Sequence, residues 1–352
     1  MHRGRAGRSR PALRHLPTIA GVLARAAALL DRAAFKPASL PDDIITGVAL
    51  APPVVAGLII FKDRALEMLV IAIAFGVVGH VAAHLIGRGH VPQPPASPLI
   101  AAVFGVALVG AGAALVTSAE IAALAVVLEL LRARYIPVIR AQAGLLAYAA
   151  IALITKGAPF QYLNPATGKA FSDPISIWYH FFSPAGAPID PIRLYVGNVP
   201  GPAFATSLLA VAIGAAWLAY ARRVSLVVLI TFLAGALLPI YAFHWDYLFQ
   251  LDSGPTWFVA VLLLSDRRLL PGSWAIRPVL GFGAGLLGVG LRRNGYGIEA
   301  VFYTVAGVQA VMAVFVVVLW GGTIGAERMR RTRRLRQREA HLRVVKSISR
   351  AS

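Results

Sequence analysis

The sequence predicts an all-α polytopic membrane protein with about ten transmembrane helices. Three observations predict it. Hydrophobic residues make up 58% of the chain and charged residues only 14%, a balance outside the range of ordinary water-soluble domains. The charges fall between long apolar runs rather than along helical stripes, and those runs recur at the length of roughly 20 residues that a helix needs to cross hydrocarbon. Backbone N–H and C=O groups in lipid must be satisfied within the segment, so the runs are helices, and the alternation of barrel strands is absent.

Residues 1–43 form a basic tail, in which Ile19, Val22, Leu23, Leu29 and Leu30 fall at helical spacing over 17–34. That spacing reads as an interfacial amphipathic helix. A first transmembrane half covers 44–155, with spans expected at 44–61, 65–86, 98–117, 119–131 and 141–155. Short connectors such as Lys62-Asp63-Arg64 and Arg222-Arg223 imply antiparallel neighbours. Residues 156–202 are a loop rich in Pro and Gly, with Trp178, Tyr179, His180, Phe181 and Phe182 at its centre. Loops of that length are commonly functional, and aromatics in one either anchor at headgroup level or stack on a flavin or quinone ring. The second half covers 203–320, with spans at 203–221, 224–243, a half-length segment at 255–264, 274–291 and 300–320, and a second basic tail follows at 321–352. In each half a Ser-Pro or Ser-Gly-Pro opens a further apolar run about 50 residues after the start, which predicts two inverted five-helix repeats with broken helices.

The net charge of +19 does not point to nucleic acid, because eight Lys/Arg precede residue 44 and ten follow residue 327. Basic tails beside a membrane fix topology and touch anionic lipid, so membrane lipids are the expected partners. The distribution of Lys/Arg over the connectors places both termini in the cytoplasm and the 156–202 loop on the outer face. The chain has no cysteine, which excludes disulfides, thiolate metal sites and cysteine-ligated iron–sulfur clusters.

Neither a catalytic constellation nor a metal-ligand set stands out. His80 and His84 share one helical face and read as polar residues at a span end, with ligation as the sharper alternative. Glu120 and Glu129 read as structural or interfacial acids, with an ion or proton path as the alternative. Asp266 beside Arg267 and Arg268 reads as a solvated turn, with a cofactor contact as the alternative, and Arg277 as a snorkelling side chain. Gly281, Gly283 and Gly285 in an apolar run read as helix-packing glycines.

Three stretches together resemble the NqrB/RnfD family of membrane electron-transport subunits. Tyr162-Leu163-Asn164-Pro165-Ala166 is similar to the family's F-N-P-A. Gly197-Asn198-Val199-Pro200-Gly201-Pro202-Ala203-Phe204-Ala205-Thr206-Ser207 resembles its G-x-x-P-G-S-x-G-E-T-S. Leu251-Asp252-Ser253-Gly254, Leu264-Ser265-Asp266, Gly281 to Gly285 and Arg292-Arg293-Asn294-Gly295-Tyr296 follow the order of its L-S-G-G, A-T-D-P, G-x-G-x-G and I-R-R-x-G-G-Y. The resemblance implies a bacterial plasma-membrane protein taking part in electron transfer or cofactor holding, with redox partner subunits. The residues it would carry over as cofactor-binding are Asn164, Pro165, Pro200, Gly201, Thr206, Ser253, Gly254 and Asp266. The family attaches flavin mononucleotide to a Thr in an S-G-A-T-P-like motif. The corresponding stretch is Ser183-Pro184-Ala185-Gly186-Ala187-Pro188, and Pro188 has no hydroxyl to esterify. A covalent flavin is therefore not expected, and a non-covalent one (FMN or riboflavin) takes its place. Ala205 stands where the family has Glu, and Arg267 where it has Pro. These departures suit a divergent single-subunit relative, such as the UnbU type that accompanies enediyne biosynthetic enzymes. Export of a small hydrophobic product and a non-catalytic membrane scaffold remain as alternatives.

Overall fold

Each helix begins and ends where local sequence and tertiary hydrogen bonds dictate, and helices dominate the structure. The computed structural model describes residues 40–87, 97–176 and 191–318. The amphipathic stretch at 17–34, both basic tails beyond these limits, the loop aromatics from Trp178 to Phe182 and the Ser183–Pro188 stretch lie outside the described residues.

The first element, α1 (Asp42–Gly87), is two helices joined at Lys62, whose backbone (φ 49°, ψ −126°) is not helical. A straight helix of this length would run about 70 Å. Instead Asp43, at its start, hydrogen-bonds Ser97 and lies within electrostatic reach of His80, near its end. The two legs are therefore antiparallel, as the Lys62-Asp63-Arg64 connector predicts.

The third expected span, 98–117, is broken: its last three residues belong to the next helix, and α2 covers only Pro98–Ala107. Pro98 at the first turn and the Ser97 hydroxyl, which accepts from Ile100 N at 3.3 Å, start it. Beyond Ala107 the backbone turns its hydrogen bonds outward: Gly110 N donates to Pro159 O at 2.8 Å, Gly112 N to Gln161 O at 2.9 Å, and Val109 O accepts from Ala203 N at 2.8 Å. Next come α3 (Leu115–Tyr135), longer than the expected 119–131, and α4 (Ala143–Ile154). The long loop contains a two-stranded antiparallel hairpin, β1 (Tyr162–Leu163) and β2 (Ala170–Phe171), and a short α5 (Pro191–Val196).

In the second half, α6 (Leu208–Tyr220) is capped by Ser207, whose hydroxyl accepts from Ala210 N at 3.2 Å. The helix α7 (Leu226–Ala242) is followed by the short α8 (Tyr247–Leu251). The half-length α9 (Gly254–Phe258) continues as a π turn over Val259–Leu264. It is followed by α10 (Ile276–Gly290) and α11 (Glu299–Val318). A side chain added at Gly281 or Gly285 would strike the carbonyls of Val228 and Phe232 on α7, whereas Gly283 has open space. The glycine pair lets two backbones approach, as expected for two of the three glycines.

Among the described residues, two segments are long and apolar enough to cross a membrane, Asp42–Leu85 and Glu299–Val318. Five shorter apolar helices accompany them. Large apolar side chains face outward on several helices, Ile59 at 70%, Val279 at 69% and Val311 at 70% exposure among them.

Candidate functional site

Val199 to Ser207 are nine consecutive buried residues, with no helix or strand among them. Buried irregular backbone must find partners for its polar groups. Ala203 N reaches Val109 O, and Phe204 N reaches Ala107 O at 3.3 Å, so this segment closes against the end of α2. The Ala203 carbonyl lies over Gly57 of α1, where no β-carbon would fit. The carbonyl of Thr206 lies as closely over Gly254, the first residue of α9. Only glycine admits these approaches.

Five of the eight predicted site residues meet at this junction. Pro200, Thr206, Ser253 and Gly254 line one small cavity together with Ile175 and Ile298, and Gly201 packs on the Thr206 side chain. The cavity is about 10 Å³, room for one water at most. Ser253 Oγ is buried without a protein partner. A flavin ring does not fit this gap.

The other three lie elsewhere. Asn164 heads the β1–β2 turn, its side chain accepting from Ala166 N at 3.0 Å and its carbonyl from Gly168 N at 2.8 Å. Pro165 follows it in the same turn. Asp266 sits at the opposite end of the bundle and is no solvated turn. It is 3% exposed and accepts from Arg223 (Nη2, 3.0 Å) and Arg268 (Nη2, 2.8 Å). Arg223 also binds Asp42 at 2.7 Å, and Arg268 binds the Thr46 hydroxyl at 2.9 Å. Burial pushes the Asp266 carboxyl up to about 7, and Arg223 opposes the rise.

Other charged residues resolve similarly. Glu129 is buried and forms two hydrogen bonds with Arg132, at 2.6 and 2.9 Å, the structural pairing expected of it. Arg277 is also buried and stacks on Trp274, 4.1 Å from the ring centre. His80 and His84 face each other with Nε2 atoms 3.2 Å apart on an exposed face.

Sequence reasoning missed a second polar group near the junction. Arg292, read as a connector charge, is 1% exposed and donates to Gln250 (Oε1, 2.6 Å) and Thr256 (Oγ1, 2.7 Å). Burial lowers its guanidinium to about 10, while Asp173 and Glu299 act to raise it. The Arg292-Arg293 pair was the available signal, but a membrane-flanking basic pair and a buried arginine look alike in sequence, and the partners that decide, Gln250 and Thr256, are remote.

A scan of the sequence against protein-family models finds no match, and a search of curated proteins finds none either. The chemistry of the junction therefore rests on its geometry.

Proposed function

We propose that the chain is a multi-pass plasma-membrane protein of RnfD/NqrB-like design, its ten crossing elements arranged as two inverted halves, which takes part in electron transfer or cofactor holding. The outward-facing apolar side chains support the membrane setting, because water-soluble surfaces rarely carry apolar patches on this scale. Contacts between the halves support the inversion. The first leg of α1 runs antiparallel to α6: the Trp217 indole donates to Ile45 O at 3.0 Å at one end, and Gly57 meets Ala203 at the other. Each half has a half-length third helix, α2 or α9. The segment after each meets the start of the other half, Val109 O accepting from Ala203 N in one case and the Arg268 side chain donating to the Thr46 hydroxyl in the other.

The observation that carries the functional reading is the convergence of two motif segments, Gly197 to Ser207 and Ser253-Gly254, on one buried junction. The junction admits one water, so a flavin held by this protein occupies another place. An absorption spectrum of the detergent-purified protein, followed by acid extraction, tests the reading. Yellow colour released by acid supports electron transfer with a non-covalent flavin. Colourless protein that fails to bind added FMN or riboflavin rejects it.

One observation favours export or binding of a hydrophobic product as the second reading. An open groove of about 720 Å³ lies beside α7, lined by Leu237, Leu238, Tyr241, His244, Trp245 and Phe282. That volume suits a small hydrophobic molecule. Product retained in cells lacking the gene would favour this reading.

A further inference from the structure

Beside the junction, the buried Asp173 and the half-buried Glu299 direct carboxyl oxygens around one glycine. Asp173, 4% exposed, accepts from Ile175 N at 3.0 Å, Ser176 N at 3.1 Å and the Ser176 hydroxyl at 2.5 Å. Glu299, the first residue of α11, accepts from Gly297 N at 3.0 Å through Oε1, while its Oε2 is buried without a hydrogen-bond partner. A β-carbon at Gly297 would collide with Asp173 Oδ2, Ser176 Oγ and Glu299 Oε2 alike, so these three oxygens close around a single point. Two further buried groups lie within electrostatic reach of these carboxyls. The hydroxyls of Tyr148 (0% exposed) and Tyr162 (4%) have no partner, and Tyr162 lies within electrostatic reach of Tyr148, Glu299, Asp173 and Tyr303.

Charge decides what this space holds. Among the described residues, Arg292 is the cation that both carboxyls sense. Its guanidinium donates to Gln250 and Thr256. Two carboxylates against one guanidinium leave one negative charge uncompensated in a buried site, which is strongly unfavourable. We propose that Asp173 and Glu299 together bind one proton, held in an oxygen-lined pocket over Gly297 and hydrogen-bonded onward to the Tyr148 and Tyr162 hydroxyls. The proton neutralises the cluster, and the tyrosines gain the partners that buried hydroxyls require. Burial raises the Asp173 carboxyl above its ordinary value, with Ser176 and Arg292 opposing, which agrees in direction. Of the remaining titratable neighbours, Tyr303 lies within electrostatic reach of Glu299, and Tyr296 within reach of Tyr303. Because Asp173 belongs to the 156–202 loop and Glu299 to α11, the proton also ties the loop to the bundle. The proton site stands whether or not the protein carries a flavin.

The test uses the full-length protein in detergent. A folded state that holds a proton the unfolded chain releases loses stability as pH rises from the unfolded carboxyl pKa toward the folded one. The unfolding midpoint should therefore fall as pH rises through that window, equally in sodium, potassium and choline chloride, and Glu299→Gln should show a shallower slope than wild type, the remainder belonging to other raised carboxyls such as Asp266. A Glu299→Gln protein with the wild-type slope overturns the proposal. So does a midpoint that tracks the identity of the alkali cation, which would make the site a metal-ion site. Infrared spectroscopy covers the case of a Glu299 variant that does not fold: a protonated-carboxyl C=O band should persist at neutral pH in the unaltered protein and in Asp266→Asn alike, and its absence from Asp266→Asn overturns the proposal.

Discussion

Asp266 accepts hydrogen bonds from two arginines that each reach into the first half of the chain, Arg223 through Asp42 and Arg268 through Thr46. Replacing Asp266 with Leu would take from the buried Arg223 and the half-buried Arg268 the carboxylate they share. Removing one partner of a buried pair costs on the order of 3–5 kcal/mol. Asp266→Leu should therefore lower the denaturant midpoint of the purified protein by an amount of that order, and Asp42→Asn should cost far less because Asp42 is half open to solvent. Equal effects would mean that the network is held by something other than Asp266. Nothing local in Asp266-Arg267-Arg268 separates a solvated turn from a buried triad, because the deciding residues lie about 40 and more than 200 positions away. Arg292 was hidden for the same reason, its partners Gln250 and Thr256 lying 42 and 36 positions away. Glu129 was legible, because its partner Arg132 sits three residues on, within one helical turn.

Hydropathy located the helices well and their ends poorly. An apolar run predicts burial whether or not its backbone is helical, so 98–117 looked like one span. It is a ten-residue helix followed by backbone that bonds to Pro159, Gln161 and Ala203. The same limit applies to 203–221, whose first residues are irregular because they close on α2. The half-length third helix of the second half was legible from Ser253-Gly254-Pro255, where glycine and proline interrupt the run. The glycines of α10 were only partly legible: spacing alone does not say that Gly281 and Gly285 face α7 while Gly283 faces away. This supplies a paired test. Gly285→Leu should separate α7 from α10 and reduce the yield of folded protein, because the new side chain meets the Phe232 carbonyl and Ala236 N. Gly283→Leu should leave yield and the unfolding midpoint nearly unchanged. Comparable losses in both would show that overall volume, not the α7 contact, governs packing there.

At the scale of the whole molecule, orientation rests on fewer charges than a simple count suggests. Arg132, Arg223 and Arg292 look like connector charges in sequence, yet all three are buried in specific contacts and are poor reporters of the membrane face. The basic tails keep their weight. Internal contacts fix which ends of the bundle coincide. Asp42, at the start of α1, shares one end with Arg223, Asp266 and Arg268. Gly110 and Gly112 hold the segment leading into the β1–β2 hairpin, and the bridge from Gly110 to Pro202 puts that hairpin at the opposite end. The last helix starts at Glu299 beside Asp173, on the hairpin side, and midway along it Gln309 accepts from Gln142 N and donates to Leu263 O. A helix of 20 residues rises about 30 Å, so α11 ends back at the Asp42 side. The described chain thus begins and ends on one face, and the hairpin turn lies on the other. With no native cysteine, single substitutions read this without background. Thr167→Cys, in the exposed hairpin turn, should react with an impermeant maleimide added to intact cells, and Ser347→Cys only after the membrane is opened. Labelling of both from the same side would break the odd number of crossings, five, that the second half places between them, and the two-half arrangement with it. Exchange of the two results would keep the arrangement and invert the molecule, against the pull of its basic tails.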